Sequence, residues 1–317
     1  MALQHYQQLD RRIRKDFIAF KEAHPEIRQK RMNLSWSVWM FGTEPFAESL
    51  ERLKSAGLSY VELKGDHYTE EAGLSLREVK EALAKSGMRV SGMCGLFSQE
   101  NDLSSNSPYA RQRAVEYIRR EIAFLKSIGG SYLIVVPSAV GRPFRIDSSE
   151  LIRSTKTLRL CGDDFLKNGI KAAVEPIRSS EVSLVHSVAE VEAYLKAVGH
   201  PGIAHINGDI FHMLTEEKHI GSAVLACGKR LANLHLADTN RDALGSGMMD
   251  LDTVIMASYL VGMNEEGRFL TPEPLGPKTD PYVLSNEDCD KPVMDKLVRD
   301  TVSYFREREE YVLSLED

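Results

Sequence analysis

The sequence predicts an α/β protein, a (β/α)8 TIM barrel with an N-terminal helical extension, on three observations. Helix-like segments alternate strictly with short apolar runs, and the alternation recurs along the chain. Strict alternation implies right-handed crossovers between parallel strands. Eight such units in roughly 280 residues fit a closed barrel better than an open sheet. No GxGxxG or GxxxxGK[ST] motif follows any run, which disfavours a nucleotide-binding fold.

Glycines mark the junctions between helices and strands. Because glycine adopts the left-handed conformation without a Cβ penalty, each is a plausible helix end before a β-branched or aromatic run. The marks are Gly57, Gly87, Gly129 with Gly130, Gly169, Gly202, Gly228 and Gly267. They separate eight strands, of which the first has no preceding mark and is predicted at Asn33–Phe41.

An amphipathic helix is predicted after each strand. In the first, Glu44–Ala56, the apolar residues Phe46, Leu50 and Leu53 share one face. The later helices are predicted at Leu76–Lys85, Tyr109–Ile128, Ser149–Leu166, Val188–Val198, Glu216–Ala226, Leu251–Leu260 and, last, Met294–Leu313.

The chain divides into a helical extension, residues 1–31, and a catalytic barrel domain, residues 32–317. Ile13, Phe17 and Phe20 recur at helical spacing in the extension. We expect this helix to pack across the bottom of the barrel. An arm that docks a second chain is the alternative.

Composition excludes several classes of function. The net charge of -6 argues against a nucleic-acid partner, because phosphate binding needs a cationic face. The 4 cysteines form no CxxC pair, which excludes a zinc ribbon or a disulfide scaffold and fits a reducing compartment. No apolar stretch suggests a signal peptide or a membrane span. We therefore expect a cytoplasmic protein without a membrane partner.

Four consecutive strands carry one metal-competent side chain each, near the end where TIM barrels place their active sites. Side-chain alternation puts three of them, Glu175, Asp209 and His235, on the inward face of the barrel. Such a convergence of charge is unfavourable unless a cation neutralises it. Three carboxylates and one imidazole suit Mn2+, Co2+ or Mg2+, and Zn2+ is possible. The four residues are Glu175, Asp209, His235 and Glu273.

The segments around these residues resemble the xylose isomerase-like superfamily of sugar isomerases and epimerases, and within it the D-tagatose/D-psicose 3-epimerase group. They read AVEPIRSSE, DIFHM, HLADTNR and TPEP, and the resemblance extends over about residues 33–285. It is more specific for the superfamily than for the substrate.

The resemblance implies a role for each matching residue. The metal ligands would be Glu175, Asp209, His235 and Glu273. Glu175 and Glu273 would also be the catalytic acid/base pair. The substrate-binding residues would be Glu181, His212 and Arg241.

The chemistry of such a site supports a metal-dependent epimerase or isomerase of a ketose or keto-sugar. A proton next to a carbonyl is too weakly acidic for an unaided carboxylate, and a divalent cation stabilises the enediolate that forms. A glutamate on each face of the substrate would remove the proton from one side and return it on the other. We expect Mn2+ as the first choice of cofactor and a homo-oligomer as the assembly.

Other functions stay open. A C-glycoside deglycosidase large subunit would apply the same deprotonation to a 3-keto-C-glycoside, as a carbon–carbon lyase with a small partner subunit. The segments 1–31 and 275–289 could accommodate that partner or an aglycone. A nuclease on the same barrel would need further metal ligands and a basic groove. A non-catalytic scaffold would have little reason to keep four convergent charges.

Further residues have two interpretations each. Glu62 and Lys64, with the following 66–68 segment, either touch substrate or only rim the cleft. Arg142 either binds an anion or is a solvated loop arginine. The aromatic residues of the first strand either form an apolar wall for a sugar or belong to the core; they are Trp36, Trp39 and Phe41.

Overall fold

A computed structural model describes residues 4–65, 75–276, 283 and 286–316. Seven parallel strands form one sheet in sequential order, which confirms the predicted TIM barrel. The strands are β1 Tyr60–Lys64, β2 Arg89–Cys94, β3 Tyr132–Val135, β4 Lys171–Val174, β5 His205–Asp209, β6 Leu231–Leu236 and β7 Phe269–Pro272.

Residues 33–37 close the barrel between β7 and β1. Leu34 forms a parallel bridge with Leu270, and Ser37 forms one with Glu62. The backbone N–H of Glu62 donates to the Trp36 carbonyl at 2.8 Å. The first strand predicted at Asn33–Phe41 is therefore right in its first half only. Val38–Phe41 is a 3-10 turn instead, which places Trp39 inside the mouth of the barrel among interior side chains.

The outer layer consists of helices, and five of them end within two residues of a predicted glycine, namely Gly57, Gly87, Gly129, Gly169 and Gly228. The helices are α1 His5–Ala23, α2 Phe46–Ser55, α3 Leu76–Ser86, α4 Pro108–Ile128, α5 Glu150–Arg159, α6 Gly162–Asn168, α7 Val188–Val198, α8 Ile210–Glu216, α9 Ile220–Cys227, α10 Leu251–Leu260 and α11 Lys291–Ser314. In the described part of the chain, no helix combines the length and the apolarity that a membrane span requires.

Two helix predictions differ from the structure. The stretch predicted at Ser149–Leu166 breaks before Gly162, whose backbone lies so close to His200 that a Cβ would come within 2.2 Å of the ring. The stretch predicted at Glu216–Ala226 is preceded by α8, which begins directly after β5 because the Asp209 side chain accepts a 2.8 Å hydrogen bond from Phe211 N–H.

The N-terminal helix α1 packs on the side of the barrel, against α9 and α10. Near its start, Asp10 contacts the ring of His219 at 2.8 Å, at the N-terminus of α9. Near its end, Lys21 donates to the carbonyl of Leu313, at the C-terminus of α11. The helix therefore follows the height of the barrel, and its expected position across the bottom is wrong. The domain boundary at residue 31 stays a prediction.

Candidate active site

The structure brings the four predicted metal ligands together at the C-terminal mouth of the barrel. Asp209 and His235 are register partners on β5 and β6. Glu175 and Glu273 directly follow β4 and β7. His235 Nδ1 lies 3.6 Å from Glu175 Oε1 and 3.6 Å from Glu273 Oε2. All four side chains are buried, at 4% relative exposure or less.

This donor set fits a divalent cation. One ligand atom each from Glu175, Asp209 and His235 lies within 4.8 Å of the other two. Three carboxylates around an imidazole nitrogen match the oxygen preference of Mn2+ or Mg2+ and also satisfy Zn2+. The identity of the four as ligands stays a prediction.

Below these side chains lies a buried polar layer. Glu62 Oε1 and Oε2 lie 2.9 and 3.1 Å from His235 Nε2. Asn233 donates to Asn207 Oδ1 at 2.8 Å, and Asn207 donates to Glu175 Oε1 at 2.8 Å. Glu62 is thus under the site with no exposed surface, and the interpretations that place it against substrate or at the rim of the cleft are wrong. The associated segment 66–68 lies outside the described residues.

The three predicted substrate-binding residues line a pocket above the four predicted metal ligands. They are Glu181, His212 and Arg241. Arg241 Nη2 donates to Glu273 Oε2 at 2.9 Å and lies 3.6 Å from Asp209 Oδ2. His212 Nε2 lies 3.3 Å from the same Asp209 oxygen. Glu181 pairs with Arg178 at the pocket edge.

Two buried nitrogens belong to side chains that line this pocket. Among the described residues, neither His212 Nδ1 nor Arg241 Nε has a hydrogen-bond partner. Buried donors and acceptors are rarely left unpaired in folded proteins.

The loop after β6 is built to present Arg241. Asn240 and Arg241 both adopt left-handed backbone conformations, with φ of 63° and 58°. The Asp238 carboxylate holds this loop by accepting hydrogen bonds from the backbone N–H groups of Thr239, Gly245 and Met249. Non-glycine residues in this conformation are strained, and such strain is concentrated at functional sites.

One wall of the pocket is apolar. Trp39 lies in this wall, whereas Trp36 and Phe41 stack on each other in the core with ring centroids 6.3 Å apart. The core interpretation is therefore correct for Trp36 and Phe41, whereas a wall for a sugar stays a prediction for Trp39. The other apolar and small residues of the pocket are Cys94, Gly95, Val136, Val140, Ile177 and Leu275.

Burial and neighbouring charges shift the protonation of the site. Burial raises the pKa of Glu273 to about 7, against the opposing effects of His235 and Arg241. Burial would lower the pKa of His235, but the carboxylates of Glu273 and Glu62 outweigh it and raise that pKa well above its ordinary value. For Asp209, burial would raise the pKa, but nearby cationic groups, His212 first, lower it.

Arg142 has neither of its two predicted roles. Its side chain is 4% exposed and forms 2.8 Å ion pairs with Asp102 and Glu150. These residues belong to the segments after β2 and β3, and Ser183, after β4, donates to Glu150 at 2.8 Å. The buried arginine therefore joins three segments that form the pocket walls.

The profile of the xylose isomerase-like TIM barrel family matches residues 50–258. The chain belongs to this family. The resemblance inferred from the four sequence segments is thereby confirmed.

Several proteins that are similar to this chain in sequence are named as sugar epimerases. The chain is 26% identical over 229 residues to a ketose 3-epimerase of Arthrobacter globiformis, covering 71% of this chain and 78% of that protein. It is 25% identical over 221 residues to a 3-dehydro-D-guloside 4-epimerase of Escherichia coli, covering 66% and 80%. A D-allulose 3-epimerase structure from Methylomonas sp. superposes with a TM-score of 0.76 at 20% identity, covering 88% and 97%.

Proposed function

We propose that the protein is a metal-dependent sugar epimerase that moves a proton on the carbon next to the carbonyl of a ketose or keto-sugar. The relatives' names support the sugar isomerase/epimerase class of enzyme. The observation that supports the mechanism is the cluster of Glu175, Asp209 and His235, with Glu273 3.6 Å from the same histidine nitrogen, under a pocket that offers further polar groups.

The cofactor follows from the donor set. Glu175, Asp209, His235 and Glu273 would hold a divalent cation, with Mn2+ as the first choice. When bound, the cation supplies Lewis-acid stabilisation of the negative charge that develops on the substrate oxygens.

The two glutamates have the proton-transfer roles. One of Glu175 and Glu273 accepts the proton from carbon, and the C–H electron pair moves toward the adjacent carbonyl. The other, as the carboxylic acid, returns a proton to the opposite face of the same carbon, which inverts its configuration. Their carboxylates flank the same nitrogen of His235, at 3.6 Å each, so both lie close to one reacting centre.

The remaining polar residues orient the substrate. His212 and Arg241 each present an unpartnered buried nitrogen, and Glu181 adds an acceptor at the pocket edge. The face of Trp39 provides an apolar surface for the C–H groups of a sugar.

Keto-glycosides are included in the proposed substrate class because the Escherichia coli relative is named for one. A C-glycoside lyase would use the same residues but would expel an aglycone instead of returning the proton. This alternative, the small partner subunit, homo-oligomer formation and cytoplasmic location stay predictions.

The test is solvent exchange. The purified chain is incubated with Mn2+ in D2O and a panel of ketopentoses, ketohexoses and 3-keto-glycosides, and the products are followed by NMR. Deuterium at the carbon next to the carbonyl, with formation of the epimer, supports the proposal. Release of an aglycone without epimer would replace it with the lyase, and no exchange into any member of the panel would contradict both.

A further inference from the structure

The most buried carboxylate near the site, that of Glu62, has no role in the proton transfer described above. It projects inward from β1 and has no exposed surface. A carboxylate removed from water is strongly unfavourable unless hydrogen bonds and charge partners compensate. Its contacts therefore indicate what it does.

Both oxygens of Glu62 face groups of the same layer. His235 Nε2 contacts the two oxygens at 2.9 and 3.1 Å. Tyr132 donates its hydroxyl proton to Oε2 at 2.7 Å, and Asn233 Nδ2 lies 3.4 Å from the same oxygen. Because an ionised carboxylate only accepts hydrogen bonds, this contact requires a proton on Nε2 of His235.

The opposite nitrogen of His235 faces the candidate cation site. Nδ1 lies 3.6 Å from carboxylate oxygens of both Glu175 and Glu273. A metal-binding histidine commonly donates its other ring N–H to a carboxylate, which fixes both the tautomer and the ring orientation. The geometry of Glu62 and His235 has this form.

We infer that Glu62 is a positioning residue, which keeps Nε2 of His235 protonated and so directs the Nδ1 lone pair to a divalent cation. The inference rests on the proposed metal site and adds a residue that determines its affinity. Tyr132 supports the same function, since its hydroxyl fixes the second oxygen of Glu62. The layer extends to Glu175, because Asn233 bonds to Asn207 and Asn207 bonds to Glu175.

A different role for Glu62 would be that of a ligand. Glu62, Cys94 and Glu273 each place one donor atom within 4.8 Å of the other two. The oxygens of Glu62 are already occupied by contacts with His235, Tyr132 and Asn233, which favours the positioning role. The two roles differ in metal stoichiometry, since a ligand role would add a second cation.

The experiment is a calorimetric titration of Mn2+ into metal-free protein, for the wild type and three variants. Glu62→Gln removes the charge and should weaken Mn2+ binding about 10–100-fold at an unchanged stoichiometry of one. Tyr132→Phe keeps the carboxylate and should weaken binding less, which gives a second test if Glu62→Gln does not fold. Glu309→Gln is the matched control, because Glu309 is equally buried but contacts Met32 N–H and Tyr259 instead.

A readout independent of activity completes the test. In Zn2+-loaded protein with ring-labelled histidine, 15N NMR should show a protonated Nε2 and a metal-bound Nδ1 for His235 in the wild type. Mn2+ affinity of Glu62→Gln within about threefold of the wild type, with Tyr132→Phe equally unaffected, would overturn the inference. A fall in stoichiometry from two to one would overturn it in favour of a ligand role. If the wild type binds no Mn2+ or Zn2+, the proposed function itself fails.

Discussion

Arg241 donates a 2.9 Å hydrogen bond to Oε2 of Glu273, and both side chains are buried at the mouth of the barrel. The other oxygen of Glu273 accepts a 3.2 Å hydrogen bond from the hydroxyl of Ser37. Both oxygens are therefore fixed in direction by residues from two different segments. A carboxylate held in this way is suited to transfer a proton at one defined position.

The first prediction concerns that carboxylate. Glu273→Gln keeps the size of the side chain but removes its basicity, and deuterium exchange into the active ketose should fall by about 10²–10⁴-fold. The melting temperature should change little, since an amide can replace most of the contacts. Glu265→Gln, an exposed change, is the control. Exchange at the wild-type rate with normal metal content would exclude Glu273 from proton transfer.

The second prediction concerns metal removal. Chelation should abolish epimerisation, and Mn2+ should restore it. Mn2+ at 100 times its Kd should also raise the free energy of unfolding by about 2.7 kcal/mol, measured by denaturant titration. In Asp209→Asn this stabilisation should be lost or strongly reduced. Full activity of the chelated wild type, with metal content shown to be negligible, would contradict the account.

The third prediction concerns the loop that carries Arg241. Asp238→Ala removes the acceptor of three backbone N–H groups and should lower the free energy of unfolding by about 1–3 kcal/mol. It should also lower kcat/KM by about 10–100-fold, because Arg241 would no longer be held in its left-handed conformation. Asp242→Ala is the matched control, since this exposed carboxylate accepts from Ala243 N–H. Equal kinetics for the two variants would show that the loop is held by other contacts.

The fourth prediction concerns Arg142. Arg142→Met leaves Asp102 and Glu150 buried without their cationic partner, which should lower the free energy of unfolding by about 3–5 kcal/mol. Arg145→Met, an exposed change in the same loop, should have a small effect. Denaturant titration measures both. A loss below about 1 kcal/mol for Arg142→Met would show that water replaces the guanidinium.

The fifth prediction concerns the pH dependence of stability. Burial, with Lys171 and Arg268 nearby, lowers the pKa of His205 to about 4 from an ordinary value of 6.5. As the pH falls, the His205 ring is protonated in the unfolded chain before it is protonated in the folded protein. The stability that the neutral ring contributes is therefore present above pH 6.5 and is lost as the pH falls toward 4. The loss should be about 1–2 kcal/mol, since the ring is partly exposed.

His205→Gln tests this assignment. The variant should show a shallower fall in the free energy of unfolding between pH 6.5 and 4 than the wild type. The exposed His24→Gln should retain the wild-type slope. Identical slopes for the wild type and His205→Gln would mean that another group causes the pH dependence.

The sequence allows much of the barrel to be predicted, because local signals determine it. Glycine ends helices before β1 to β4, where Gly57, Gly87, Gly129 and Gly169 all have positive φ. Before β5 the left-handed glycine is Gly199 rather than Gly202. Gly202 serves a different purpose, since a Cβ there would lie 2.1 Å from the Gly162 carbonyl oxygen. Only the tertiary packing distinguishes these two reasons for a glycine.

The candidate site can also be predicted in part from the sequence. Strand parity and the position of strand ends suffice to place Glu175, Asp209, His235 and Glu273 together. The same parity places Glu62 inside the barrel, but depth in the barrel depends on the register between β1 and its neighbours, which includes an irregularity between Val61 and Glu62. Loop contacts such as those of Arg142 join segments far apart in sequence, and no local pattern encodes them.

The most direct test of the central claim is an anomalous difference map from crystals grown with Mn2+. We expect one dominant peak at the C-terminal mouth of the barrel, at about 2.0–2.6 Å from oxygens of Glu175, Asp209 and Glu273 and from Nδ1 of His235. A peak bound through other residues, or no peak in active protein, would contradict it.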